Sequence, residues 1–290
     1  MPPDESAETI AEIIAEEGGV DAFFAGTKGL SSPWSNVDYY TGGWKPGELS
    51  VVAARPSMGK TAFGVNAAWH AAKRNVPVNF YTLEMDKRAI TLRFISLLTG
   101  ITFNDLDQGQ LTKVERGLVS EALTAIQDTP LRIIRATKKS VMAIRSHLER
   151  SKLKRDTRFS VVDYLGRFIQ AGSDRNRAHE LGAICSELKA MAIDTGTAML
   201  LLCQLNRQLE GRPDKHPSLS DLRDSGEIEE HADIVAFIHR PEYFNRDDAS
   251  LKFKAEFIIG KNRNGQTRTL DLHYQEHCGK FSAETLMEQP

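Results

Sequence analysis

Apolar positions along the chain fall into two alternating rhythms. Near-continuous apolar runs at Leu49–Ala54 (LSVVAA), Val78–Leu83 (VNFYTL), Phe159–Asp163 (FSVVD), Ala198–Cys203 (AMLLLC) and Ile234–His239 (IVAFIH) predict strands buried on both faces. Helical patterns separate them, from Lys60 to about Arg74, Asp86 to Thr99, about Thr112 to Gln127, and Ser140 to Leu153. A shorter apolar run, Leu131–Ile134, lies between the last two. Lys254–Ile259 and Thr267–Tyr274 flank a turn at Asn262–Gly265 and predict a late hairpin. Alternation of this kind predicts an α/β fold, a mostly parallel central sheet flanked by helices.

The N-terminus follows a different pattern. Ala7, Ile10, Ala11 and Ile14 fall at i, i+3, i+4 and i+7, and Gly18-Gly19 supplies a stop, so residues 1–19 contain a short amphipathic helix. A helix this short is marginal alone and must dock its apolar face on something. From Val20 to Gly47 the chain is rich in Gly, Ser, Pro and aromatics, which suggests a tether leading into the main domain. The expected division is a linker helix and tether at 1–29 and the main domain at 30–290.

Composition narrows the setting. No apolar run approaches the roughly 18 residues of a membrane span, and the acidic N-terminus is unlike a targeting peptide. A cytoplasmic protein with no membrane partner is expected. Cys185, Cys203 and Cys278 show no CxxC spacing and fit reduced, packed thiols. The net charge of −2 confines any nucleic-acid contact to a few loops lining a groove or channel. Between Arg132 and Arg158 there are ten Lys/Arg and two acidic residues, a run expected as a solvated face rather than a binding patch. His273, His277 and Cys278 cluster near the C-terminus, but without a fourth ligand or CxxC spacing they are not expected to hold zinc.

Chemistry enters at Ala54-Arg55-Pro56-Ser57-Met58-Gly59-Lys60-Thr61, which matches the phosphate-loop pattern G-x-x-x-x-G-K-[ST] except for Ala54 at the first glycine. A strand runs in and a helix starts at Lys60, so backbone N–H groups and the helix N-terminus can surround phosphates. In that setting Lys60 reaches the β- and γ-phosphates of ATP and the Thr61 hydroxyl binds Mg²⁺. A turn with a surface lysine is the plainer alternative, and the strand–loop–helix context argues against it. Asp163 ends its apolar strand where a second magnesium-anchoring group belongs. Glu84 follows its strand directly and can orient an attacking water as general base. Gln204 follows AMLLLC and can report the γ-phosphate.

These segments resemble, in order, the motifs of the DnaB helicase family: ARPSMGKT, TLEM around Glu84, VVDYL at 161–165, CQLNR at 203–207, DLRDSGEIEEHAD at 221–233 and IIGKNRNG at 258–265. The resemblance covers about Leu30 to Tyr274, and the family's ARPxMGK motif accounts for Ala54. It implies a RecA-like P-loop NTPase fold and an ATP-dependent helicase that travels on single-stranded DNA, 5′ to 3′, as a homo-hexameric ring. It further implies primase or a helicase loader as partners. By the same resemblance Glu84 is the catalytic base, Asp163 the magnesium ligand and Gln204 the γ-phosphate sensor. Lys261 and Arg263 would enter the neighbouring subunit's site, although K-N-R-N-G by itself reads as a basic hairpin turn. Arg223, Asp224 and Gly226 fall in the loop that such rings project into their channel; Asp224 stands where the family more often has glutamate. A second channel loop is expected at Gly166–Arg177. By the same resemblance the family's N-terminal helical domain is expected to be missing ahead of the motor, and residues 7–17 resemble the linker helix that docks on an adjacent subunit. Two other readings account for part of the pattern. A RecA- or KaiC-type ATPase switch explains the phosphate loop, Glu84 and Asp163, but not DLRDSG and GKNRNG together. A regulatory partner of a helicase ring would have no need of Glu84.

Overall fold

Each apolar run becomes a strand of one sheet. In the computed structural model, which describes residues 9–16, 18–21, 28–136, 141–163, 174–205, 209, 211–222 and 225–283, residues 174–181 and 225–227 are described by backbone alone. The strands are Leu49–Ala54 (β1), Val78–Thr82 (β2), Leu131–Arg135 (β3), Phe159–Asp163 (β4), Ala198–Gln204 (β5), Ile234–His239 (β6), Lys254–Asn262 (β7), Arg268–Gln275 (β8) and Lys280–Ala283 (β9). Their order is β3-β2-β4-β5-β1-β6-β7-β8-β9. The strands from β3 to β6 pair in parallel, and β7, β8 and β9 add on antiparallel.

Burial explains the two kinds of sequence pattern. Every residue of β1, β2, β4 and β6 is buried, because helices cover both faces of the parallel part. Along β7 and β8 buried positions alternate with more exposed ones, as in a sheet with one wet face. Val52 and Ala54 face one core with Phe63, Phe80 and Val161; Val51 and Ala53 face the other with Val162, Leu188 and Met191. Helix Lys60–Ala72 lies on the first face. It comes so close that a Cβ on Gly64 would stand 2.7 Å from Leu202 and 3.2 Å from Val161. Helix Asp174–Thr195, absent from the sequence-based expectation, lies on the second face and buries Cys185, Leu188 and Ala192 at i, i+3 and i+7. Helices Ser35–Thr41 and Phe103–Gln108 and strand β9 were also not anticipated.

The Val20–Gly47 stretch is a correction. From Leu30 onward it belongs to the core rather than to a tether. Trp34 is fully buried and stacks on Phe63 with ring centroids 4.1 Å apart. Trp44 stacks on Phe159, and the Leu30 and Trp44 backbones exchange two hydrogen bonds of 2.8 Å. Ser31 meets His70 of helix Lys60–Ala72 at 3.2 Å. Glycine and serine counts cannot distinguish a loose linker from an irregular segment anchored by two buried indoles. Trp34→Ala is expected to cost about 3–5 kcal/mol of stability in urea unfolding; a loss below about 1 kcal/mol would mean that the segment packs only loosely.

The N-terminal helix spans Ile10–Glu16, shorter than its sequence pattern, and Ala7 lies outside the described residues. Thr9 caps it: Glu12 N donates to Thr9 Oγ1, and Thr9 N donates to the Glu12 carboxylate at 2.7 Å. Ile10 is 76% exposed and no residue of the helix is buried, so its apolar face finds no cover within the described residues. Among the described residues no helix is long and apolar enough to cross a membrane. All three cysteines are free and buried.

Candidate active site

β1 delivers Ala54, fully buried, to the carboxyl edge of the sheet, and the chain turns through Arg55–Gly59 into helix Lys60–Ala72. The turn uses left-handed backbone at Ser57 (φ 67°) and Gly59 (φ 92°). At Ser57 this conformation costs on the order of 1 kcal/mol and persists only because the surroundings impose it. Arg55, buried, donates from Nη1 to the Leu205 carbonyl at 3.0 Å, and the Met58 amide closes the turn on the Arg55 carbonyl. Pro56 is exposed while Met58 is buried beneath the loop. Gly59 is required by its φ and by space: a Cβ there would stand 2.9 Å from the Phe281 ring and 3.0 Å from that of Tyr274.

Arg240 holds the same turn from the side, a role that sequence reasoning missed. It is 2% exposed, donates from Nη1 to the Ser57 carbonyl at 3.1 Å and from Nη2 to Glu276 at 2.9 Å, and lies 4.6 Å over the Tyr274 ring. Its sequence signal was slight: a charged residue directly after the apolar run IVAFIH. Arg240→Lys is expected to weaken nucleotide binding about tenfold, the worth of one charge-assisted hydrogen bond. Fluorescent-nucleotide titration measures this; unchanged affinity would mean that Arg55 and Gly59 suffice to hold the loop.

Lys60 and Thr61 converge on Asp163. Thr61 Oγ1 donates to Asp163 Oδ2 at 2.8 Å, and Lys60 Nζ lies 3.3 Å from Oδ1. Asp163 is 2% exposed. Its position follows from register, since β4 pairs Asp163 with Thr82 of β2 and with Leu202 of β5. The Leu83 amide donates to the Asp163 carbonyl, and Thr82 Oγ1 bonds both the amide and the carbonyl of Met85. These bonds hold the turn that carries Glu84, exposed, at the same edge. Gln204, also exposed, ends β5 in register with Ala54. Phosphate loop, buried carboxylate, exposed carboxylate and exposed amide thus share the carboxyl ends of the strands, near the reversal in strand order where open α/β sheets bind ligands. Burial pushes the neighbouring Cys203 thiol up to about 12, which leaves it neutral and no nucleophile.

Lys261 and Arg263 lie at the other edge. β6 runs parallel to β1 and pairs Ile238 with Ala54, whereas Lys261 pairs with Val235 near the start of β6. Three residue steps of strand, on the order of 10 Å, separate these two positions along β6. Lys261 Nζ donates to the carbonyls of Glu229 and Ala232, and Arg263 Nη2 to that of Glu230. Both cations therefore cap the C-terminal end of helix Ser225–His231. Arg263 also meets Asp233 at 3.3 Å while its side chain stays 51% exposed. Burial, and then repulsion from Arg263, lower the Lys261 pKa from its ordinary value. Asp233 is held in addition by Lys189 and the Leu49 amide.

The residues expected at a nucleic-acid channel are seen only in part. Arg223 and Asp224 lie outside the described residues, as do 166–173 of the second expected loop. Gly226 falls in the first turn of helix Ser225–His231. Before it, a short turn at Leu219–Asp221 is fastened by Arg212 and the Ser218 amide to the Asp221 carboxylate at 2.7 and 2.8 Å. In the basic run, Arg145 pairs with Asp194 and Glu149, and Lys152 with Asp156, as on a solvated face.

Fold and site together define a P-loop nucleoside-triphosphatase domain of RecA-like architecture. The chain belongs to the DnaB-like helicase C-terminal domain family, whose model matches residues 29–283. It is 36% identical over 255 residues to the replicative DNA helicase DnaB of Geobacillus stearothermophilus; the match takes in 87% of this chain and 56% of that protein. The chain thus spans little more than half the length of that relative. Among solved structures, one described as an ATPase domain superposes with a TM-score of 0.87 at 30% identity, over 96% of this chain and all of that one. A DnaB-like replicative helicase, solved with its interactions with primase, gives 0.84 at 31% identity over 97% of this chain and 68% of that one.

Proposed function

We propose that this domain is the ATP-driven motor of a homo-hexameric ring that travels 5′ to 3′ on single-stranded DNA and unwinds duplex during replication in the cytoplasm. The observation that carries the proposal is the split between the two sheet edges. Lys60, Thr61 and Asp163 gather at one edge, while Lys261 and Arg263 stand at the other, out of reach of their own chain's phosphate loop. Cations so disposed serve a neighbour's nucleotide, so each site is complete only between two copies.

In this reading Lys60 and the amides of the 55–61 turn hold the β- and γ-phosphates of ATP. The Thr61 hydroxyl and Asp163 carboxylate, 2.8 Å apart and both hard oxygen donors, fit a magnesium ion, which when bound offsets charge on the phosphates. Glu84 takes a proton from the attacking water, and Gln204 senses the γ-phosphate. Arg263 of the adjacent copy lays its planar cation against charge developing on the transferring phosphoryl group. Lys261 and Arg263 also cap the helix that starts at Ser225. A change in what these cations bind therefore reaches the 223–226 segment, where Arg223 and the Gly226 amide, beside Asp224, would grip DNA phosphates without reading bases. The exposed apolar face of helix Ile10–Glu16 docks on a neighbouring copy, and residues 1–29 act as linker to the motor at 30–290. Primase is the proposed protein partner, as for the solved relative, with a helicase loader as a second.

ATP turnover with and without single-stranded DNA tests the motor, and forked duplexes with only a 5′ or only a 3′ tail test polarity. Stimulation by DNA and unwinding of the 5′-tailed fork are expected. Turnover indifferent to DNA would remove the helicase reading and leave an ATPase switch.

A further inference from the structure

A second cluster of ligating side chains lies at the β6–β7 strand ends. His239 closes β6 and pairs in register with Glu256 of β7. His216 arrives from the segment that leads into the Leu219–Asp221 turn. One ligand atom from each of the three lies within 4.8 Å of the others, the one such group of His, Cys, Asp and Glu among the described residues. His273, His277 and Cys278 form none there. His239 is 3% exposed and the Glu256 side chain 19%.

Hydrogen bonding gives the cluster its meaning. His216 Nδ1 stands 2.6 Å from Asp214 Oδ1, a distance at which the ring nitrogen donates its proton to the carboxylate. A neutral imidazole so oriented has an unprotonated Nε2. That nitrogen lies 3.1 Å from Glu256 Oε2, itself buried and lacking a hydrogen bond of acceptable geometry. A lone pair facing a buried carboxylate oxygen is unfavourable unless a proton or a metal cation lies between them, and the nearby ring nitrogen of His239 offers a metal a third ligand. The Asp214–His216 pair is also the arrangement by which proteins fix the tautomer of a metal-bound histidine.

We propose that His216 Nε2, one ring nitrogen of His239 and Glu256 Oε2 form a three-ligand site for a borderline-soft divalent cation of the zinc class, with Asp214 orienting His216. Bonds of about 2.0–2.2 Å to such an ion set ligand edges of about 3.3 Å. The His216–Glu256 edge already matches, and adjustment by at most about 1.5 Å closes the others. Water completes the coordination. The ion fastens the 211–218 segment to the β6–β7 strands, and with it the turn that precedes the 223–226 segment. The site is independent of the helicase reading, because none of its ligands belongs to the phosphate loop or the Lys261–Arg263 pair.

Cobalt(II) titration of the full chain in excess Mg²⁺ tests this, Mg²⁺ occupying the hard-oxygen site at Thr61 and Asp163. One saturable Co²⁺ per chain is expected, with the visible bands of a four- or five-coordinate ion, no thiolate charge-transfer band, and displacement by Zn²⁺. His216→Ala, at an exposed position whose folding is checked by Tm in chelator, should weaken binding at least 100-fold, and Glu256→Gln likewise. Zn²⁺ should raise the Tm of the wild type but not of His216→Ala. Absence of saturable binding at micromolar Co²⁺, a thiolate spectrum, or undiminished binding by His216→Ala would each overturn the proposal, the first and last leaving His216–Glu256 as a simple ion pair.

Discussion

Glu84→Gln is expected to bind ATP about as well as the wild type and to hydrolyse it 10²- to 10⁴-fold more slowly, the usual worth of a positioned general base. The amide preserves shape and hydrogen bonding but cannot accept the proton of the attacking water. Glu84 is exposed on a turn fastened by Thr82 and by the Asp163 carbonyl, so its replacement should leave the fold and the Lys60–Asp163 contact intact. Steady-state turnover and nucleotide affinity measured side by side separate the two effects. Retention of a tenth or more of the turnover would take the base role from Glu84.

Arg263→Ala is expected to lower turnover about 10³-fold or more, the scale of an arginine that stabilises a phosphoryl transition state. Nucleotide affinity should change little. Stability should also hold, because Asp233 keeps Lys189 and the Leu49 amide when Arg263 is gone. Arg263→Lys should rescue poorly, since a compact ammonium cannot reproduce a planar, bidentate cation. Loss of Tm in step with activity would instead assign Arg263 a structural role, as cap and Asp233 partner.

The parallel strands were the most legible part of the chain. β1, β4 and β6 begin and end at the residues their apolar runs indicated, because strands covered on both faces are apolar nearly throughout, with Ser50 and Ser160 as buried exceptions. Helix starts at Asp86 and Thr112 were legible for a local reason: each side chain caps its own helix, Asp86 bonding the Ala89 amide and Thr112 that of Glu115. Trp34 and Arg240 were not legible, because what they do depends on partners distant in sequence. Trp34 acts through Phe63, and Arg240 through a carbonyl 183 residues away. The aromatic floor under Gly59 was hidden for the same reason, being assembled from β8 and β9. At the candidate site, the placement of Thr61, Lys60 and Asp163 on one side of the sheet could be read from strand ends, since parallel strands carry their carboxyl ends to a common edge; that β5 stands between β1 and β4, so that helix Lys60–Ala72 must reach across it, could not. The separation of Lys261 and Arg263 from that edge required the antiparallel register of β6 and β7, which no local pattern encodes.

That separation is the centre of the account, and mixing two inactive variants tests it most directly. Glu84→Gln lacks its own base but presents Arg263 to a neighbour; Arg263→Ala lacks the cation but retains Glu84. If sites form between copies, an equimolar mixture assembled together should regain DNA-stimulated ATP turnover well above either variant alone, with about a quarter of its interfaces intact by random assortment. If each chain completes its own site, the mixture will be as inactive as its components, and the shared-site motor is contradicted.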